Sequence, residues 1–165
     1  MENRLPLLES ERYSLENLVD LNRKQIGRLL KLSEEHVVID RAVYDPVYPN
    51  DLKIHKLLAK DDIDFSSHIP GYQIYPNYAI VKILNQGIRL LVRLLYPDLR
   101  DIPVGMIEHT KLRGQLYPDD EMNVLIKKWQ DRSKTAKFEI AIENQKGVLV
   151  YESTVYGTII KKKRN

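Results

Sequence analysis

Residues 78–96 are the longest apolar stretch in the chain, and the rest of the fold has to accommodate them. The run is broken by Lys82, Asn85, Gln86, Arg89 and Arg93, charged and polar groups that would be costly at a bilayer centre. It therefore reads as a helix of a water-soluble protein and not as a membrane span. Lys82, Gln86, Arg89 and Arg93 follow one another at spacings of four, three and four, which puts them on one helical face. Such a face either lines a site for an anionic group on a ligand's carrier or meets solvent or a dimer edge. The second reading is preferred, because both arginines lie turns away from the chemistry-bearing residues near the helix start.

The segments around this helix have strand periodicity. Met122, Val124 and Ile126 alternate with polar neighbours, as do Ala136, Phe138, Ile140 and Ile142, which is the period of half-buried antiparallel strands. Asn144 to Gly147 turns the chain back into a strand from Val148 to Ile160. Pro103 opens a further strand through Ile107 and Leu112, after Pro97 and Asp98 have closed the helix. Upstream, Val37–Ile39 and Leu52–Leu57 are expected as strands joined by a turn-rich segment from Asp45 to Asp51. Ser14 to Leu32 reads as one amphipathic helix with Ser14 as its N-cap and Gly27 as a weak point. One central helix among antiparallel strands gives an α+β domain whose sheet must wrap the helix to bury it. The expected organisation is a single domain over residues 1–165, with an N-terminal helical segment at 1–35 and a basic tail at 161–165.

Composition narrows the function classes. With no cysteine there is no disulfide frame, thiolate nucleophile or cysteine metal site, which suits a reducing, cytoplasmic location. The N-terminal residues carry no apolar signal core. Lys and Arg total 26 against 23 acidic residues, too slight an excess to indicate nucleic acid, and the run Lys161–Arg164 accounts for it as a solvated tail. Lys24 to Val37 superficially resembles part of a helix-turn-helix, but Val37 onward reads as strand, so no nucleic-acid partner and no membrane are expected.

Candidate chemistry centres on His68-Ile69-Pro70-Gly71, which is followed by Pro76 and Asn77 at the mouth of the long helix. Imidazole is the side chain best matched to proton abstraction near neutral pH, and a Pro-Gly turn would fix it in place. His36, His55 and His109 have no metal-ligand spacing and are taken as structural. Asp61, Asp62 and Asp64, just before His68, are taken as a solvated acidic loop. There is no Gly-rich phosphate loop, nucleophile elbow or zinc motif, so neither a cofactor nor a metal is expected.

Read in register, residues 68–86 (H-I-P-G-Y-Q-I-Y-P-N-Y-A-I-V-K-I-L-N-Q) resemble the signature of the hot-dog β-hydroxyacyl thioester dehydratases, H-F-P-G-x-P-x-x-P-G-x-x-x-x-E-x-x-x-Q. Residues 36–43 are similar to the family's first strand, and 111–120 to its K-F-x-x-x-V-x-P-G-D turn, so the likeness runs over about residues 24–160. The resemblance implies a hot-dog fold, an antiparallel sheet wrapped around the central helix, and an acyl thioester on acyl carrier protein or coenzyme A lying along that helix. It implies His68 as the base, Gly71 and the amide after Pro76 as groups close to the thioester, and Gln86 as a further ligand contact. The family acid falls on Lys82, and Gly falls on Asn77 and on Asp119. In the family each site joins the histidine of one subunit to the acid of the other. A chain with His68 and Lys82 is therefore expected as a homodimer, or as half of a heterodimer with an acid-bearing relative in fatty acid or polyketide-like biosynthesis. The alternative is a non-catalytic thioester-binding sensor or assembly subunit.

Overall fold

The computed structural model describes residues 17–66, 68–69, 71–132, 135–158 and 160–161. Its centre is helix α3 (Asn77–Leu95), which begins at Pro76 and ends at Tyr96, just before Pro97. Strands β1 (Val19–Asn22), β2 (Arg41–Tyr44), β3 (Asp51–Leu57), β5 (Val104–Leu112), β6 (Glu121–Arg132), β7 (Thr135–Asn144) and β8 (Leu149–Thr158) form one sheet. Their order is β1-β2-β3-β6-β7-β8-β5, and every neighbouring pair is antiparallel. A short ladder of β4 (Leu99–Asp101) with β9 (Ile160–Lys161) lies beside it.

Apolar alternation decides which face of the sheet covers the helix. Leu52 and Ile54 of β3, Met122, Val124 and Ile126 of β6, Ala136, Phe138, Ile140 and Ile142 of β7, and Val155 of β8 are all buried in one cluster. The helix contributes Ile80, Ile83, Leu84, Ile88, Leu90 and Leu91 to it. Each such side chain contributes about 1.5–3 kcal/mol by leaving water. Gly87 marks the closest approach of helix and sheet, since a methyl there would overlap Cδ1 of both Ile54 and Ile126.

Two expected elements differ. Ser14 lies outside the described residues, and Leu21 and Asn22 belong to β1, which pairs with β2 from Val19↔Tyr44 to Asn22↔Arg41. The helix is only α1 (Arg23–Leu30), started by Asn22, which accepts from the Gln25 N–H while the Gln25 side chain accepts from the Asn22 N–H. Strand pairing with β2 overrides a helical periodicity that sequence spacing alone had extended too far. Val37–Ile39 is not a strand either; the first strand after α1 is β2. Val37 and Ile39 are fully buried, and Gln86 supplies the contact that a neighbouring strand would have given: its Oε1 accepts from the Val38 N–H at 3.0 Å and its Nε2 donates to the His36 carbonyl at 2.7 Å.

Candidate functional site

The segment between β3 and α3 is pinned at both ends by aromatic packing. Phe65, in the short helix α2 (Ile63–Ser66), meets Tyr75 edge-on with centroids 5.3 Å apart, and both are buried. The Tyr75 N–H donates to the Leu116 carbonyl at 2.8 Å, tying the segment to the loop before β6. Burial pushes the Tyr75 phenol well above its ordinary range, and the nearby Asp62, Asp64 and Asp40 add to the effect. This tyrosine is a structural post that keeps its proton.

Between these posts the chain presents His68. Its ring is exposed, and Nδ1 lies 3.3 Å from the Ile74 carbonyl. Assigning the proton to Nδ1 makes this a hydrogen bond and leaves Nε2 with its lone pair, the tautomer a general base requires. Pro70 lies outside the described residues. The Tyr72 N–H donates to the Ile69 carbonyl at 3.0 Å across the turn, and Gly71 has φ +82°, a left-handed conformation that glycine adopts without cost. Beside this turn is a cleft of about 410 Å³ whose lining includes Lys60, Phe65, Ile69, Gly71 and Tyr72.

Pro76 is the N-cap of α3, and its carbonyl accepts from Ala79 and Ile80. Asn77 is therefore helical from the outset and not left-handed. Its N–H belongs to the first turn, at the positive end of a 19-residue helix. Asp119, the other position where the resemblance puts glycine, is left-handed at φ 66°, and its N–H donates to the Leu58 carbonyl at 2.7 Å.

Lys82 Nζ lies 3.1 Å from Asp64 Oδ1 and 5.2 Å from the centroid of the Tyr78 ring. The His68 ring meets the same Tyr78 ring edge-on at 6.3 Å, and the Tyr78 hydroxyl is 3.5 Å from the Asp64 carbonyl oxygen. His68 and Lys82 of one chain thus flank one tyrosine. Sequence reasoning missed two members of this cluster. Asp64 had been grouped with solvated acidic residues, yet it sits in α2 with its side chain only 14% exposed and ion-paired. Tyr78 had been counted as apolar helix surface. Eighteen residues and a change of element separate Asp64 from Lys82, so no periodicity could have linked them.

Two further residues of the polar helix face turn toward their own chain. Gln86 clamps residues 36–38, and Arg93 donates to the Leu99 carbonyl at 2.6 Å. His55 pairs with Glu121 at 3.4 Å, and His36 Nδ1 lies 2.6 Å from Ser33 Oγ. Among the described residues no cluster of three His, Cys, Asp or Glu side chains is arranged to hold a metal, and no helix is long and apolar enough to cross a membrane.

No family model matches the chain. It is 29% identical over 131 residues to the 3-hydroxyacyl-[acyl-carrier-protein] dehydratase FabZ of Acidiphilium cryptum, covering 77% of this chain and 78% of that protein. The structure is similar to the dehydratase heterocomplex ApeI:P from Xenorhabdus doucetiae, with a TM-score of 0.65 at 12% identity over 83% of this chain and 91% of that one. The chain has the hot-dog fold. A hypothetical thioesterase with coenzyme A from Streptococcus pneumoniae TIGR4 has the same fold, with a TM-score of 0.58 at 14% identity over 70% of this chain and 83% of that one. The sheet and helix of this hot-dog chain are in the expected arrangement.

Proposed function

We propose that this protein binds an acyl thioester carried on coenzyme A or an acyl carrier protein, and that His68 removes the α-proton of a 3-hydroxyacyl group. The observation that carries this reading is the exposed His68 ring with its Nδ1 at a backbone carbonyl, in a turn whose Ile69 and Gly71 line a cleft. The likeness to a FabZ dehydratase, and a fold shared with a protein solved with coenzyme A, support it. Gly71 lets the backbone approach the thioester, and the Asn77 amide polarises its carbonyl, favouring the enolate that forms as the proton leaves. Gln86 acts by holding residues 36–38 against the helix as a wall of the site.

Expulsion of the 3-hydroxyl as water needs a proton on the departing oxygen, and the position where the resemblance puts an acid holds Lys82. Losing a general acid costs about 10²–10⁴ in rate. The chain by itself is therefore slow, and full activity comes from pairing with a hot-dog chain that supplies the acid. A homodimer would retain binding and the slow rate. The proposed location is the cytoplasm.

The test is a melting curve with acyl-pantetheine thioesters of graded length. A ligand at a hundredfold excess over its dissociation constant stabilises the fold by about 2.7 kcal/mol. A shift without any turnover would select the sensor or assembly reading. No shift with any chain length on either carrier would sink thioester binding and leave only the fold.

A further inference from the structure

We propose that Tyr78 is the proton donor of this chain, its phenol taking the place of the missing carboxylic acid. The inference rests on the reading of His68 as the base for a 3-hydroxyacyl thioester. Three contacts converge on Tyr78: the His68 ring, edge-on with centroids 6.3 Å apart, the Lys82 ammonium at 5.2 Å from its centroid, and the Asp64 carbonyl at 3.5 Å from its hydroxyl; the Asp64 carboxylate in turn holds Lys82 at 3.1 Å. Tyr78 is 44% exposed and its ring neighbours that of His68, so a ligand at His68 also meets Tyr78.

The cluster has four groups with a proton to give or hold, and electrostatics separates them. Tyr75 is 5% exposed, and burial strengthens its hold on its proton. Asp64 is 14% exposed and committed to Lys82 as a carboxylate. If Lys82 gave up its proton, the Asp64 carboxylate beside it would lose its counter-charge, which disfavours that step. Lys82 therefore works as a fixed cation. When Tyr78 gives up its proton, the phenolate forms beside that same cation and is stabilised where charge develops.

The step balances without a co-reactant. His68 Nε2 takes the α-proton, and the electron pair of that C–H bond moves into the enolate. As the C–O bond to the 3-hydroxyl breaks, the enolate electrons form the 2,3-double bond and the Tyr78 phenol protonates the departing oxygen, releasing water. The imidazolium then returns its proton to the phenolate, restoring both groups. A phenol is a weaker acid than a carboxyl group, so this route is slow.

The experiment uses the full-length protein with short- and long-chain 3-hydroxyacyl pantetheine thioesters in D₂O, following α-proton exchange and dehydration together. Exchange needs the base alone, whereas dehydration needs base and donor. Expected are slow dehydration by the wild type, loss of both reactions in His68→Ala, and a fall in Tyr78→Phe of about 10²-fold more in dehydration than in exchange. Lys82→Arg, which keeps the cation but cannot give up a proton, should lose less dehydration than Tyr78→Phe. Equal effects of Tyr78→Phe on the two reactions, or a larger loss in Lys82→Arg, overturn the role of Tyr78 and leave His68 as the base. Wild-type exchange without dehydration also overturns it. A wild type that catalyses neither reaction and shows no melting shift overturns the underlying reading as well.

Discussion

The Lys82 ammonium lies 3.1 Å from Asp64 Oδ1, so a carboxylate is pinned by the lysine at the position where the resemblance puts the catalytic acid. The pair ties α2 to the second turn of α3 and fixes the charge next to Tyr78.

Lys82→Glu is expected to raise the dehydration rate of the isolated protein by about 10²-fold. Next to Asp64, two carboxyl groups cannot both ionise freely, and like-charge repulsion holds a proton on one of them to higher pH. Adding Asp64→Asn removes that repulsion, so the alkaline limb of the pH–rate profile should move to lower pH. A Lys82→Glu protein no faster than wild type at any pH would show that position 82 does not face the leaving hydroxyl.

Glu152 on β8 accepts from Arg113 through both carboxylate oxygens, at 3.0 and 3.1 Å, and Lys111 lies 3.1 Å away. These partners, Arg113 foremost, hold its carboxyl below the ordinary 4.5. A depressed carboxyl pKa stabilises the fold above the unfolded value, and the contribution fades as pH falls through the folded one. Glu152→Gln should therefore lower stability near neutrality by less than about 1 kcal/mol, with the difference from wild type vanishing in acid below that range. Urea titrations at several pH values measure it; a difference that grows on acidification would contradict the assignment.

Gly87→Ala tests the contact between helix and sheet. Alanine improves helix propensity by about 1 kcal/mol, but its methyl overlaps Cδ1 of Ile54 and Ile126, and overpacking costs about 1–3 kcal/mol. The variant should melt lower than wild type, with Ile126→Val, which removes one of the two methyls, recovering part of the loss. An unchanged or raised Tm would mean the helix sits farther from the sheet.

Among the described residues strand β5 ends the sheet and has a partner, β8, on one side only, while Met106 and Leu112 are 48% and 56% exposed. An open edge with apolar side chains invites pairing with another chain. Light scattering at micromolar concentration is expected to give a dimer, and Ile107→Pro, which removes a backbone donor from the strand, should weaken it. A monomer without any partner chain present would count against the pairing.

Much of the architecture was legible in the sequence because it depends on local periodicity. Alternation at Met122–Ile126 and Ala136–Ile142 marked β6 and β7, and the apolar run at 78–96 marked α3, since the period of burial is written residue by residue. The register of His68 to Gln86 against the dehydratase signature singled out His68 as the base, a role that still awaits its test. The start of the first helix was not legible, because Leu21 and Asn22 have partners in β2 some twenty residues away. Nor was the environment of Lys82. Its neighbours Asp64 and Tyr78 come from two elements brought together by packing, and a sequence records which charges exist but not which of them share the same few ångströms. The sequence by itself determined the strands of the second half of the sheet, the central helix and the candidate base. Only the tertiary structure decided that the lysine is ion-paired and that a tyrosine ring stands between it and the histidine, because Coulomb energies depend on distance through space and not along the chain.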